Sequence, residues 1–184
     1  HRDLHSFPTR RSSDLLTSKP VLYVCNVDED SAATGNEFSK AVQKMAADEG
    51  AESVIISAEI ESEVAQLESE SEKQEFLSAL GLEETGLAKI IRAGYNLLGL
   101  QTYFTAGPKE VRAWTFVKGM KAPQCAGIIH TDVERGFIRA ETISYDDYVQ
   151  FGGEQGCKDA GKMRSEGKEY VVQDGDLMNF LFNV

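Results

Sequence analysis

The sequence predicts an α/β protein in two parts, a βαβ unit followed by a small sheet with a helix across it. Three observations predict it. Apolar positions between residues 20 and 58 read strand, helix, strand. Charge changes character near Gly99, with 18 acids against 9 bases over residues 1–99 and 12 against 10 over residues 100–184. Beyond that point two alternating strands, a helix, a strand, an irregular helical stretch and a closing strand make a β-grasp outline. A chain of 184 residues can bury one large core or two modest ones, and the change at Gly99 marks the expected boundary between two.

Residues 1–15 stand apart. They carry Arg2, Arg10 and Arg11 in a serine-rich stretch without apolar periodicity. The segment resembles translated adapter sequence, in which case the natural N-terminus is absent; a short basic arm is the other reading, and both leave it out of the fold. Residues 21–25 then form an apolar strand, 37–48 a helix with Phe38, Val42 and Met45 on one face, and 53–57 a second strand. Such a unit closes right-handed with parallel strands, so the loops 26–29 and 57–59 open on one edge, where ligands gather in open α/β sheets.

Residues 59–75 are densely acidic, with Val64, Leu67 and Phe76 as the spaced apolar positions of the region. That is a solvated helical face rather than a cation site. Over residues 85–98, Leu87, Ile90, Ile91 and Leu98 share one stripe, which predicts a core-facing helix stopped by Gly99. Residues 100–105 and 111–117 alternate around Gly107-Pro108 as a hairpin. Its Trp114 and Phe116 share one face, for core packing or a partner, while Val111, Ala113 and Val117 share the other. Pro123 begins a helix that Ala126, Ile129 and Val133 continue and Gly136 closes. A strand over 137–143, a turn at Asp174-Gly175 and a strand over 177–182 complete the chain.

Composition excludes several function classes. A net charge of −11 opposes nonspecific nucleic-acid binding through an overall basic field. No apolar run approaches the ~18–20 residues that cross a bilayer, and none has secretory flanks, so a cytoplasmic address is expected. Cys25, Cys125 and Cys157 are widely spaced and lack the Cys-x-x-Cys pattern of zinc and redox sites, so reduced thiols are expected.

The chemistry-bearing candidate is Asn26-Val27-Asp28-Glu29, directly after a buried strand. P-loop GTPases hold guanine with Asn-x-x-Asp in this place, the carboxylate accepting paired hydrogen bonds from N1–H and the 2-amino group. Glu29 is one methylene longer, so strict guanine selectivity is lost, and adenine, which lacks both donors, loses less. A plain turn is the competing reading. Ser57-Ala58 after the second strand matches the loop that touches the base through backbone amides; the competing reading is a helix N-cap before a Glu-rich first turn.

Other motifs carry less. Residues 156–162 fit G-x-x-x-x-G-K, but Met163 follows where a magnesium-binding hydroxyl belongs and no buried strand precedes. Without a phosphate cradle the chain as given is not expected to hydrolyse nucleotides. His130 is read as structural, since Asp132 at i+2 does not share its helix face. Asp146 and Asp147 suit the first turn of a short helix better than a metal.

These residues together form a recognisable whole. Lys19-Pro20-Val21-Leu22-Tyr23-Val24-Cys25-Asn26-Val27-Asp28-Glu29 is followed by Ile56-Ser57-Ala58-Glu59, Arg112-Ala113-Trp114-Thr115, Lys121-Ala122-Pro123-Gln124 and Ile129-His130-Thr131-Asp132. Then come Gly136-Phe137-Ile138-Arg139-Ala140-Glu141, Glu169-Tyr170-Val171-Val172-Gln173-Asp174-Gly175-Asp176 and Asn179-Phe180-Leu181-Phe182-Asn183-Val184. Over residues 16–184 the chain closely resembles the C-terminal half of the YchF-type Obg-like ATPases.

The resemblance implies the tail of an OBG-type P-loop G domain over residues 16–98 and a β-grasp TGS domain over 99–184. It implies ATP, and also GTP, as the nucleotide, with Mg2+ in the intact protein held by ligands outside this chain. Asn26, Val27 and Glu29 would lie at the base, with Ser57 and Ala58 in the supporting loop. No catalytic or metal residue is expected here, because the P-loop, switch segments, helical hairpin and proposed catalytic histidine of the family lie upstream, and His130 does not inherit that role. The expected partner is the ribosome, through its large subunit, with no membrane and no sequence-specific DNA. The alternative is a stand-alone TGS module that binds a protein or RNA without catalysis.

Overall fold

The computed structural model describes residues 15–107 and 110–183, and the basic segment 1–14 and the Pro108 half of the hairpin turn lie outside the described residues. The chain divides into two compact units, one ending at Leu98 and the other beginning at Gly99.

In the first unit, β1 (Leu22–Asn26) and β2 (Glu52–Ile56) are parallel, with Asn26 opposite Ile56 at their carboxyl ends. Between them runs α1 (Glu37–Glu49). It begins in a capping box in which Asn36 accepts from Ser39 N–H and Ser39 Oγ accepts from Asn36 N–H, and it ends at Gly50, whose φ of 70° suits a left-handed C-cap.

The acidic stretch forms two helices, α2 (Ala58–Val64) and α3 (Glu70–Ala79). Their spaced apolar residues supply the core of this unit, where Ile60, Val64, Leu77 and Leu82 are buried with Ala32. The acids stay outside, as expected, with one exception of structural use. Glu61 of α2 accepts from the main-chain N–H of Gly86 and, at 3.1 Å, of Leu87, so its carboxylate caps the next helix, α4 (Gly86–Leu98).

The helix α4 forms where expected, yet its stripe does not face a core. Leu87 is 58% exposed, Ile91 52% and Leu98 60%, and the buried residues of α4 are Gly86 and Ala93. The close approach is made by Gly86, where a Cβ would stand 2.8 Å from the Ile56 side chain. A two-stranded sheet offers too little surface to cover both faces of such a helix.

The second unit is a five-stranded mixed sheet in the order β4-β3-β7-β5-β6. Its strands are β3 (Leu100–Ala106), β4 (Val111–Val117), β5 (Phe137–Ser144), β6 (Arg164–Glu166) and β7 (Asp176–Phe182). The central pair β3 and β7 is parallel and the outer pairs are antiparallel, which is the β-grasp arrangement. Helix α5 (Ala122–Ile129) crosses it. Tyr103, Phe116, Ala122, Cys125, Ala126, Phe137, Ala140 and Met178 form the core. Trp114 packs against this core while Val111 and Val117 on the opposite face are exposed, so core packing accounts for the inner face of the hairpin.

Two features differ from expectation. The helix beginning at Pro123 breaks at His130, whose extended backbone (φ −163°) separates α5 from α6 (Thr131–Arg135). The irregular helical stretch expected after β5 is present as α7 (Tyr145–Gln150) and α8 (Glu154–Asp159), but a short strand that was not expected, β6, follows it. The loop after β6 is pinned to the start of β7 by Asp176, which is 2% exposed and accepts from Tyr170 Oη at 2.7 Å, Gln173 N at 2.9 Å and Arg164 Nη2 at 3.3 Å.

Candidate functional site

Both loops singled out in the sequence emerge at the carboxyl ends of β1 and β2. Val27 N–H donates to Ile56 carbonyl at 2.9 Å, extending the parallel pairing one residue past the strand. Asn26 Oδ1 then accepts from Ala58 N–H at 2.9 Å, a bond across 32 positions of sequence that ties the first loop to the second. Val27 is buried beneath this junction and Asn26 is exposed at its rim. Asn26 and Val27 also line a cleft of about 320 Å³ together with Asn36, Phe38, Ser39 and Val42 of the α1 side.

Asp28 is the extended N-cap of a short 3-10 turn over Glu29–Ser31, and its carboxylate accepts from Ser31 N–H at 3.0 Å. That division of labour was not legible in the sequence: Asp28 holds the loop, which leaves Glu29 as its half-buried acid. Desolvation, and then the charges of Glu59, Glu63 and Asp30, push the Glu29 carboxyl above its usual range. An acid raised by acidic neighbours favours ligand groups that donate hydrogen bonds or carry protons.

Ser57 occupies the N-cap position of α2, but its side chain makes no capping bond. Its hydroxyl is buried and has no hydrogen-bond partner, as is the hydroxyl of Thr142 in the second unit. Orphaned buried hydroxyls are uncommon in native proteins. The two loops therefore hold Asn26, Val27, Glu29, Ser57 and Ala58 about one small region, with the Asn26 amide at its surface, the Glu29 carboxylate half-buried and the Ser57 hydroxyl buried. Among the described residues no group of three His, Cys, Asp or Glu is placed to hold a metal ion.

The remaining candidates resolve into structural parts. The G-x-x-x-x-G-K match over 156–162 lies on α8 and the turn after it, not between a strand and a helix. A Cβ on Gly156 would meet the Phe151 carbonyl oxygen, so that glycine serves packing. Lys162 pairs with Asp147 at 3.3 Å rather than pointing into a phosphate cradle.

Asp147 also accepts from Ser144 in the first turn of α7. That hydrogen bond and Lys162 hold its carboxyl below the usual range against a smaller opposing effect of desolvation. His130 Nδ1 accepts from Asp132 N–H at 3.1 Å and caps α6. Because the helix breaks there, His130 and Asp132 do approach, to 3.4 Å, contrary to the same-helix argument, but the pair is exposed and meets no nucleophile. The three cysteines form no disulfide. No helix among the described residues is long and apolar enough to cross a membrane.

Comparison with known proteins finds relatives along most of the chain. The family model YchF-GTPase_C, described as a protein of unknown function (DUF933), matches residues 100–183. The chain is 63% identical over 172 residues to the ribosome-binding ATPase YchF of Bacillus subtilis (strain 168), covering 92% of this chain and 47% of that protein. It is 45% identical over 172 residues to Obg-like ATPase 1 of Rattus norvegicus, covering 92% of this chain and 43% of that protein. The solved structure of the Schizosaccharomyces pombe YchF GTPase superposes with a TM-score of 0.79 at 38% identity, covering 91% of this chain and 45% of that one. The chain thus spans about half the length of the curated relatives it matches.

Proposed function

This chain belongs to the YchF family of Obg-like ATPases, and from that premise we propose that it is the C-terminal portion of a cytoplasmic, ribosome-associated P-loop protein that binds and hydrolyses ATP, and also GTP, when whole. Residues 16–98 are the tail of its G domain and 99–184 its TGS domain. Asn26, Val27 and Glu29 meet the purine, with Ser57 and Ala58 as the supporting loop. The observation that carries this reading is the Asn26–Ala58 bond, which brings together two loops that the sequence separates by 32 positions.

The chemistry of the loop fits a base and not a phosphate. Glu29 is an acceptor suited to an exocyclic amino group, and main-chain groups of the two loops supply further polar contacts. Anionic phosphates would be repelled by Asp28, Glu29, Asp30, Glu59 and Glu63. Mg2+ and the transferred phosphoryl group belong to segments outside this chain, and no step through them is assigned to these residues. The fragment contributes base recognition and is inactive alone.

In the full-length protein carrying this sequence, Asn26→Ala is expected to weaken ATP and GTP alike by roughly tenfold, the size of one lost hydrogen bond together with a loosened loop. Equilibrium titration with fluorescent nucleotide measures it, and unchanged affinity for both would remove the loop from the site. The rival reading, an interaction module without nucleotide chemistry, draws on the separate core of the second unit. It predicts ribosome association that is indifferent to nucleotide.

A further inference from the structure

The five-stranded sheet has two edges of opposite character. At one, β6 is three residues long and reads Arg164-Ser165-Glu166. Short charged edges resist pairing with another chain. At the other, β4 runs for seven residues in unbroken antiparallel register with β3 and contains no proline. Its outward face is apolar or small: Val111 is 73% exposed, Val117 52%, and Ala113 between them is exposed as well. Natural sheets rarely leave such an edge open unless a strand pairs with it.

The main chain sets which positions could pair. Lys118 N–H donates to Gly99 carbonyl and Glu110 carbonyl accepts from Gly107 N–H, so even-numbered positions turn toward β3. Alternation along an antiparallel ladder then turns the odd-numbered positions, Val111, Ala113 and Val117 among them, outward. Two copies of β4 laid antiparallel about Trp114 set Val111 opposite Val117 and Ala113 opposite Thr115, odd against odd throughout. The same register sets Glu110 opposite Lys118 at both ends.

Other registers lose this match. A slip of two residues one way sets Glu110 against Phe116, and the other way sets Lys118 against Arg112. Glu110 is available for the cross-copy pair, since its side chain is 69% exposed and its contact with Arg112 is a loose 3.9 Å. Long-range repulsion is modest here as well, because residues 100–184 carry 12 acids against 10 bases while most of the net negative charge lies in the other half.

We propose that β4 is a self-complementary edge through which two copies of this chain associate about a two-fold axis, joining their sheets with Glu110–Lys118 pairs at both ends. The test is sedimentation equilibrium of the 184-residue chain and two charge-reversal variants, Glu110→Lys and Lys118→Glu. Both positions are exposed, so the fold is preserved, and circular dichroism verifies it. Each variant should weaken self-association about tenfold, less so at high salt. An equimolar mixture of the two should form a 1:1 complex, because each then meets opposite charge at both ends. The double variant Glu110→Lys/Lys118→Glu should associate like the original chain. A chain that stays monomeric up to about 0.1 mM would overturn the proposal. So would variants that self-associate unchanged, which would put the contact elsewhere, for example at the open edge of β1 or on another protein's strand.

Discussion

Residues 99–184 expressed alone should fold cooperatively, whereas residues 16–98 alone should be partly disordered or aggregate. The second unit owns a continuous core in which Tyr103, Cys125, Ala126 and Ala140 are fully buried and aromatic rings of β3, β4 and β7 pack on one another, Tyr103 stacked on Trp114 and edge-on to Phe180. Among its described residues the first unit has two paired strands, fewer than independent stability requires. It also leaves Phe38 82% exposed, together with Leu87, Ile91 and Leu98 of α4 and Val24 of β1. Apolar surface of that kind, beside an open strand edge, drives association rather than folding. Amide dispersion and hydrogen exchange on the two pieces measure this. Strong protection throughout 16–98 in isolation would contradict it, and would mean that the unit is complete without further strands.

Asp176→Ala should be among the more damaging single substitutions in the second unit. The carboxylate is almost wholly buried and accepts from Tyr170, Gln173 and Arg164, fastening the loop after β6 to the first residue of β7. Burial, and then the hydrogen bond to Asp176, hold the Tyr170 phenol well above its usual range, so that O–H remains a donor in need of an acceptor at any physiological pH. Arg164 keeps Glu166 at 3.1 Å and half its side chain in water, but the Tyr170 and Gln173 donors lose their partner. A loss of about 3 kcal/mol is expected. At ~4–8 °C per kcal/mol for a unit of this size, Tm falls by more than about 10 °C. Thermal unfolding followed by near-ultraviolet circular dichroism reads it directly. A shift below about 3 °C would show that solvent replaces the carboxylate without cost.

What the sequence revealed follows from what periodicity encodes. Alternation found β3, β4, β5 and β7, whose inner faces line a core, and the strand–helix–strand rhythm found β1, α1 and β2 although the two strands are only partly covered. It placed α4 correctly but misjudged what its stripe faces, for the complementary reason. The stripe of Leu87, Ile91 and Leu98 is real, yet a stripe says only that something covers it, not that the chain itself does. The break at His130 was hidden because Ala126, Ile129 and Val133 keep helical spacing across it, while the extended backbone of one residue leaves no mark in hydrophobicity. The strand β6 is too short and polar to carry a pattern.

At the site, chain topology alone places the two loops on one edge, but the bond between Asn26 and Ala58 that ties them could not be read in advance. Finer assignments depended on side-chain direction. Asp28 rather than Glu29 caps the turn, and Ser57 sits at an N-cap without acting as one.

The most direct test of base recognition is the ratio of ATP to GTP affinity in the full-length protein carrying Glu29→Asp, measured by equilibrium competition against one fluorescent nucleotide. Shortening the acid by one methylene restores the geometry that accepts paired bonds from guanine N1–H and the 2-amino group. The ratio should therefore move toward GTP by about tenfold or more. An unchanged ratio, with the protein folded and both nucleotides still bound, would contradict the assignment of Glu29 as the residue that reads the base.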